Sequence, residues 1–196
     1  GVEAETKKLF RVCKQRQIPI FTMVNKMDRP GRDAFELIGE VESVLGIGVY
    51  PVTWPLFSGA TFRGVYHRMT KMVYLFDAEL AKSSAAMGAE KAPVKVTGLD
   101  DPELKTQLGD EAYTRLREEI ELLDSAGDAL DEKKLLTGEV SPMFFGSAIN
   151  NFGLQPFLES FCDMMPSPSP RVTSNGELPA ESDRFAGFIF KIQANM

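Results

Sequence analysis

The chain has 196 residues, with 22 basic and 28 acidic side chains and a net charge of −6 at pH 7. This length predicts one sizeable domain, or one domain with a fragment of another. Hydrophobic residues make up 43%, and no apolar run approaches the roughly 20 residues that span a bilayer, so disordered and membrane-spanning classes are excluded. The acidic balance also disfavours a surface that binds nucleic acid over its whole extent.

Two cysteines, Cys13 and Cys162, and one histidine, His67, restrict the chemistry that the chain can perform. The cysteines lie far apart among apolar residues at helical spacing, which favours packed free thiols and a reducing, cytoplasmic setting. His67 lies in a predicted strand and is expected to be an ordinary strand residue. Metal sites built on histidines, and Ser-His or Cys-His catalysis, are therefore disfavoured.

The first elements of the chain predict an α/β arrangement. A helix is predicted over residues 6–17, and a continuous apolar run then predicts a parallel strand, buried on both faces, over residues 18–24. The next helix is predicted to begin after the capping residue Asp33 and to end at Gly46. Strand-like stretches over 49–54, 61–68 and 72–76 predict a small antiparallel insert at about residues 47–100. Within it, the Ser-, Ala- and Gly-rich residues 82–91 are predicted to form a mobile loop.

The second half of the chain predicts helices and a strand, followed by a domain boundary. Asp101 and Pro102 indicate the start of a long helix with an apolar face over 113–123, and a short helix follows over 131–136. A second buried strand is predicted over 142–145, and a helix with its apolar face at positions 154–165 follows. Residues 166–182 are rich in proline and predict an interdomain linker, after which a strand over 188–192 begins another domain.

Asn25, Lys26 and Asp28 form the pattern N-K-x-D between the predicted strand over 18–24 and a capped helix. An open α/β sheet binds its ligands at this end of its strands. Guanine presents a ring N–H and an exocyclic amine side by side, and the carboxylate of Asp28 can accept both hydrogen bonds, whereas adenine lacks that amine. Asn25 can donate and accept, and the methylene stem of Lys26 can lie flat on a purine.

A second strand end supports the same site. Gly146, Ser147 and Ala148 follow the predicted strand over 142–145, and a turn of such small residues lets backbone N–H groups approach a ligand oxygen closely. The pattern N-K-x-D alone arises by chance in roughly one chain in forty of this length. The alternative for residues 25–28 is therefore a polar turn with side-chain capping, and the alternative for Ser147 and Ala148 is an ordinary turn.

Two other glycine patterns are rejected as phosphate sites. Residues 59–64 have the outer glycine spacing of a phosphate-binding loop, but Val65 and Tyr66 follow where that loop requires a lysine and a serine or threonine. Residues 124–127 spell D-x-x-G, but they close a charged helix and are predicted to be a helix stop. The pattern G-x-x-x-x-G-K-[ST] is absent from the sequence, and no residue is nominated as catalytic or as a metal ligand.

With these motifs, the chain resembles the translational GTPases, and within them the class II peptide chain release factors. The likeness spans nearly the whole chain. It is carried by the residues at 1–4, 25–28, 52–55, 62–67, 146–148 and 188–196. The resemblance implies the C-terminal part of a P-loop-GTPase-like G domain over 1–165, with the insert inside it. It also implies that residues 183–196 begin a β-barrel domain.

The resemblance further implies a role for each site residue. Asp28 pairs with the guanine edge, Asn25 braces the base and Lys26 stacks on it, while the backbone amides of Ser147 and Ala148 meet the base oxygen. The implied ligands are GTP and GDP, with Mg²⁺ bound by residues that this sequence lacks. The implied function is that of a cytoplasmic GTPase that acts on the ribosome during translation termination and recycles the codon-reading release factors.

The resemblance implies, finally, that the chain is an excerpt without the P-loop and without the family's central strands. We therefore expect the chain alone to hydrolyse no GTP and to bind guanosine very weakly. An unpaired edge at the strand over 18–24 would invite self-association.

Two alternative functions stay open from the sequence. One is another translational GTPase, of the elongation factor G type. The other is a non-enzymatic module whose basic helical face, formed by Lys7, Arg11 and Lys14, docks a partner such as ribosomal RNA. A dinucleotide oxidoreductase is set aside, because no G-x-G-x-x-G follows a strand.

Overall fold

The structure, a computed structural model, describes residues 1–76, 94–126, 130–183 and 185–193. The predicted loop over 82–91 lies outside these residues. Contacts between residues divide the chain into two units, Gly1–Met164 and Met165–Met196. Within the described ranges, no helix is both long enough and apolar enough to span a lipid bilayer.

The first unit alternates helices with strands, and the helical bounds follow local signals. Its helices are α1 (Ala4–Gln15), α2 (Ala34–Leu45), α3 (Pro102–Leu108), α4 (Asp110–Ala126), α5 (Glu132–Leu136) and α6 (Leu154–Met164). Its strands are β1 (Thr22–Val24), β2 (Gly48–Pro51), β3 (Thr53–Leu56), β4 (Gly64–His67), β5 (Met72–Leu75), β6 (Val94–Thr97) and β7 (Val140–Phe145). Short 3-10 helices lie at Gly59–Thr61 and Ala148–Asn150.

The predicted ends of α2 are confirmed. The Asp33 carboxylate accepts a hydrogen bond from the Phe35 backbone N–H at 2.9 Å, and Gly46 ends the helix with a left-handed φ of 62°. The long helix predicted from Asp101 is two helices in the structure. Gly109 interrupts the helical backbone between α3 and α4. Its φ of 82° is a conformation that glycine adopts without a steric penalty.

A parallel sheet in the order β1-β7-β2 forms the centre of the first unit. The prediction of a single strand over 49–54 is wrong, because β2 pairs with β7 only as far as Pro51 and β3 belongs to another sheet. The Val52 peptide causes this division. Its N–H donates to the Met143 carbonyl and its carbonyl accepts from the Arg68 N–H, each at 2.8 Å. One residue therefore connects the two sheets.

An antiparallel sheet in the order β3-β4-β5-β6 lies within the predicted insert, although the strand predicted over 61–68 is limited to β4 and β2 belongs to the parallel sheet. Trp54, Val65, Tyr66 and Val73 are buried in it, each with an exposed fraction of 2% or less. Gly64 is required by close approach of the backbone, since a Cβ atom at this position would lie 2.2 Å from the Tyr74 carbonyl oxygen. The core of the first unit thus continues from the parallel sheet into the insert.

The prediction of a strand over 18–24 that is buried on both faces is wrong in its extent and its burial. The strand is limited to β1, whose residues are half-buried, and Ile18 is 41% exposed. The cause is position, because β1 pairs with β7 on one side and with no other strand among the described residues on the other. A strand at the edge of a sheet has one neighbour to cover it, and its unpaired backbone groups match the expected open edge.

The apolar face predicted for the last helix of this unit differs in part from the one that α6 buries. Pro156 and Ser160 are buried, whereas Leu158 is 55% exposed. Cys162 is exposed rather than packed, so the expectation of a packed thiol is wrong there, while Cys13 is half-buried. Both cysteines are free thiols.

The second unit contains a short antiparallel hairpin, β8 (Arg171–Thr173) with β9 (Gly176–Leu178), within the residues predicted as a linker. The strand predicted over 188–192 does not form. Phe188, Ile189, Phe190 and Ile192 are 80–89% exposed, and no described strand lies beside them to exchange backbone hydrogen bonds. A beginning of a β-barrel is therefore not seen in these residues.

Candidate nucleotide-binding site

The two segments singled out in the sequence lie side by side at one edge of the parallel sheet. Val24 pairs with Phe145 at the ends of β1 and β7, so the residues that follow each strand emerge together. The Gly146 N–H donates to the Val24 carbonyl, and the Met27 N–H donates to the Gly146 carbonyl, each at 3.0 Å. The parallel pairing therefore brings residues 25–28 and 146–148 to one place, as the sequence predicted.

The Asn25 side chain connects these two segments. Its Oδ1 accepts hydrogen bonds from the Lys26 N–H at 2.7 Å and from the Ala148 N–H at 2.9 Å. Lys26 is exposed, and its backbone has a left-handed φ of 68°, which is uncommon for a residue with a side chain. Strained backbone of this kind is stabilised by its surroundings and is frequent at functional sites.

Asp28 contains an acceptor that the protein does not use. Its Oδ1 is buried and has no hydrogen-bond partner among the described residues. A buried carboxylate oxygen without a donor costs free energy, because it has lost water and gained nothing in return. Asp28 is therefore suited to accept hydrogen bonds from a ligand, and the two oxygens of its carboxylate match paired N–H donors such as those of the guanine edge.

Ser147 and Ala148 lie at the predicted place, but their backbone N–H groups already have partners. Ser147 is fully buried, and its N–H donates to the Phe152 carbonyl at 2.8 Å. The Ala148 N–H donates to Asn25, as described above. To accept from the Ala148 N–H, a ligand oxygen would have to share this donor with Asn25 Oδ1 or displace it. The Ser147 N–H instead maintains the shape of the loop through its bond to Phe152.

Glycines make this loop possible for a reason that the sequence pattern did not show. A Cβ atom at Gly146 would lie 2.3 Å from the Phe152 carbonyl oxygen, and one at Gly153 would lie 2.4 Å from the Phe145 carbonyl oxygen. Gly153 also has a φ of 75°. Its contribution was missed, and the available signal was a glycine seven residues after Gly146 in the same connection. The small residues serve the packing of the loop on itself.

Residues 1–167 match the family model of the elongation factor Tu GTP-binding domain. The chain belongs to this family. It is also similar over its whole length to proteins named peptide chain release factor 3: 50% identical to that of Symbiobacterium thermophilum, 46% to that of Gloeobacter violaceus and 44% to that of Trichodesmium erythraeum. The chain spans 35–36% of the length of these relatives.

A solved structure shares the fold of this family member. The crystal structure of a protein from Thermus thermophilus matches with a TM-score of 0.55 and 20% identity, over 86% of this chain and 25% of that one. The prediction of an α/β fold with a parallel sheet, and the resemblance to class II release factors, are therefore confirmed.

Two other charged groups of this chain that the sequence singled out have structural partners. The Asp124 carboxylate, in the D-x-x-G pattern, accepts a hydrogen bond from Arg68 at 2.7 Å, and Gly127 lies outside the described residues. In the basic face of α1, the Lys14 Nζ donates to the Gly46 carbonyl at 3.2 Å and lies 5.8 Å from the centre of the Phe10 ring. In the described part of the chain, no cluster of His, Cys, Asp and Glu is arranged to bind a metal ion.

Proposed function

We propose that this chain is part of the guanine-nucleotide-binding domain of a cytoplasmic GTPase that acts on the ribosome in translation termination. Support comes from the family to which the chain belongs and from its whole-length similarity to proteins named peptide chain release factor 3. Since the chain spans about a third of those relatives, GTP hydrolysis, binding to the ribosome and recycling of codon-reading release factors are proposed for a full-length protein.

Recognition of the base is the part of this function that the described residues would perform. The observation that carries the proposal is the buried, unpartnered Oδ1 of Asp28, beside a segment tied to residues 146–148 by Asn25. Asp28 accepts the two hydrogen bonds of the guanine edge, and the Lys26 stem covers a face of the base. The Ala148 N–H is shared between Asn25 and the base oxygen, while Ser147 keeps the loop in shape.

The phosphates of GTP or GDP would be bound elsewhere. The sequence has no G-x-x-x-x-G-K-[ST], whose lysine and hydroxyl bind phosphate and Mg²⁺ in P-loop proteins. We propose that residues outside these 196 supply those groups in the full-length protein. Bound Mg²⁺ would neutralise phosphate charge there. The chain alone is expected to hydrolyse no GTP and to bind guanosine very weakly. Isothermal calorimetry with GDP and Mg²⁺ tests the second expectation, which tight binding would contradict.

Substitution of the Asp28 carboxylate by an amide tests whether the bound base is guanine. Asp28→Asn replaces one acceptor oxygen by an amide NH₂ donor, so in the full-length protein the preference should move from guanine towards xanthine nucleotides, whose oxygen at position 2 accepts that donor. The measurement is competition between GTP and XTP. Asp33→Asn is the matched control, since Asn also caps helices and should leave the preference unchanged. An Asp28→Asn protein that still prefers GTP would contradict the assignment.

The open edge of β1 supports a second, physical proposal about the isolated chain. Its unpaired backbone groups can form a ladder with the same edge of another copy. Sedimentation of the 196-residue chain should therefore show concentration-dependent dimers. A monomer at all concentrations would contradict self-association without affecting the proposed nucleotide site.

A further inference from the structure

A turn of the antiparallel insert contacts the segment that contains Asp28. The Gly59 N–H donates to the Met27 carbonyl at 2.8 Å, and the Met27 N–H donates to the Gly146 carbonyl at 3.0 Å. Met27 is 5% exposed and immediately precedes Asp28. Its two backbone groups are therefore held from two sides, by the loop after β7 and by the insert.

The backbone of this turn, residues 57–59, is strained at Phe57, two residues before the Gly59 N–H that contacts Met27. Phe57 has a left-handed φ of 68°, whereas Gly59, with a φ of 65°, adopts this region without a steric penalty. An aromatic residue in this region is a rare outlier, which persists only where the surroundings determine the conformation. Phe57 packs against the hydrophobic core, which supplies such surroundings. The strain thus lies at the residues that deliver the Gly59 N–H to the recognition segment.

The turn is also attached firmly to the insert sheet. The Arg63 N–H donates to the Leu56 carbonyl at 3.0 Å, and the Phe62 N–H donates to the Gly59 carbonyl at 3.1 Å. The Thr61 hydroxyl donates to the Ser58 carbonyl at 2.9 Å. These bonds hold the connection between β3 and β4 together, so the Gly59 N–H has a defined position from which it donates to the Met27 carbonyl.

We propose that residues 57–59 are a positioning element for base recognition, with Gly59 as its essential residue. The turn sets the place of the Asp28 carboxylate relative to residues 146–148 by holding the Met27 peptide. A Cβ atom at position 59 would have room, since it would lie 3.4 Å from the Pro30 nitrogen, but any other residue would have to keep the left-handed φ of 65°, which side chains disfavour. A side chain there would therefore shift the turn. This inference rests on the proposed guanine site.

The experiment compares GDP with inosine diphosphate in the full-length protein. Inosine lacks the exocyclic amine, so it donates one hydrogen bond to Asp28 where guanine donates two, and the ratio of the two affinities reports on the placement of Asp28. Gly59→Val introduces a branched side chain that disfavours a left-handed φ. It should weaken GDP binding about tenfold and inosine diphosphate binding less, so that the ratio falls.

Gly98→Val is the matched control. Gly98 also has a left-handed φ, 85°, but it follows β6 at the far edge of the insert sheet, where a Cβ atom would lie 3.7 Å from the Lys71 carbonyl oxygen. This variant should show similar strain and an unchanged affinity ratio. If circular dichroism shows that Gly59→Val is unfolded, Gly59→Ala is the milder second variant.

Two results would overturn this inference, and they are distinguishable. A folded Gly59 variant with the wild-type ratio of GDP to inosine diphosphate affinity overturns the positioning role alone. A wild-type protein that binds neither nucleotide, or that does not distinguish them, overturns the proposed guanine site and with it this inference.

Discussion

The side chain of Asn25 accepts a hydrogen bond from the backbone of Ala148, at 2.9 Å and across 123 positions of sequence. The same oxygen accepts from the Lys26 N–H. One amide thus connects the ends of two parallel strands and orders the segment before Asp28. The residue contributes to the shape of the candidate site even before it touches a ligand.

Removal of that amide should affect ligand binding more than folding. Asn25→Ala leaves the Ala148 and Lys26 N–H groups without their protein acceptor, but both bonds are exposed, so water can replace it and the unfolding free energy should fall by about 1 kcal/mol. GDP affinity of the full-length protein should fall more, because the two segments lose their connection. Titration with a fluorescent GDP analogue measures this.

Asn150→Ala is the control for this prediction. The Asn150 Nδ2 donates to the Ser147 hydroxyl at 3.1 Å, within a single loop, so its loss removes a bond without separating residues 25–28 from 146–148. Equal losses of GDP affinity in both variants would show that Asn25 has no special connecting role.

Local signals in the sequence predicted both ends of α2, the start of α3 and the proximity of the segments that follow β1 and β7. Asp33 and Asp101 cap helices through bonds to N–H groups two residues ahead, and such short-range chemistry is visible in a sequence. The proximity of Asn25 to Gly146 followed from one rule, that parallel strands end at the same edge of a sheet. These inferences required no knowledge of long-range packing.

Long-range partners could not be predicted in this way. A strand-like stretch over 49–54 gives no sign that the chain leaves one sheet at Val52 and enters another. Likewise, the pattern at 146–148 does not reveal that Phe152 and Asn25 already accept the N–H bonds of Ser147 and Ala148. Burial and hydrogen bonding at these positions depend on which elements become neighbours in the fold. The spacing of apolar residues along the chain does not indicate those neighbours.

The side-chain hydroxyl of Thr53, in β3, forms a hydrogen bond to the backbone of β7 in the other sheet. It accepts a hydrogen bond from the Phe145 N–H at 3.0 Å, and both residues are fully buried. Thr53→Val keeps the shape but leaves a buried N–H unpaired, which should lower the unfolding free energy by about 1–3 kcal/mol. Urea denaturation measures the change, and Thr53→Ser, which keeps the hydroxyl, should lose less. A valine variant as stable as the wild type would contradict the importance of this bond.

Arg68 joins β4 to the end of α4 and to the end of β2. It is 5% exposed, and its guanidinium donates to the Asp124 carboxylate, to the Pro51 carbonyl and to the Leu123 carbonyl. Arg68→Ala leaves the buried Pro51 and Leu123 carbonyls without a donor, while water can reach the half-exposed Asp124, so the unfolding free energy should fall by about 1–3 kcal/mol. Arg68→Lys should recover only part of this, because an ammonium cannot reproduce the planar arrangement of donors.

Lys71 provides the control for Arg68, since its Nζ lies 3.9 Å from the other oxygen of Asp124 and its side chain is 60% exposed. An exposed ion pair of this kind contributes about 0–1 kcal/mol, so Lys71→Ala should change the midpoint of urea unfolding only slightly. Similar losses for Lys71→Ala and Arg68→Ala would show that burial of the guanidinium is not the decisive factor.

His67 is expected to make stability depend on pH. Its Nδ1 accepts from the Thr70 N–H at 3.3 Å, so the neutral ring carries its proton on Nε2, which lies 3.0 Å from the Ser160 hydroxyl. Burial lowers the pKa of His67 below its ordinary value of 6.5, although the charge of Glu159 acts in the opposite direction. Below pH 6.5 the unfolded chain therefore binds a proton that the folded chain does not yet bind, and stability falls as the pH falls.

This loss should extend from about pH 6.5 down to the folded pKa, with a slope of at most about 1.4 kcal/mol per pH unit. Because the sequence contains a single histidine, His67→Gln should remove the imidazole-dependent slope between pH 5.5 and 6.5, whatever its effect on stability at pH 7.5. Urea denaturation at several pH values measures both proteins. A wild-type stability that is constant, or that increases towards pH 5.5, would show that the imidazole is protonated as readily in the folded state as in the unfolded one.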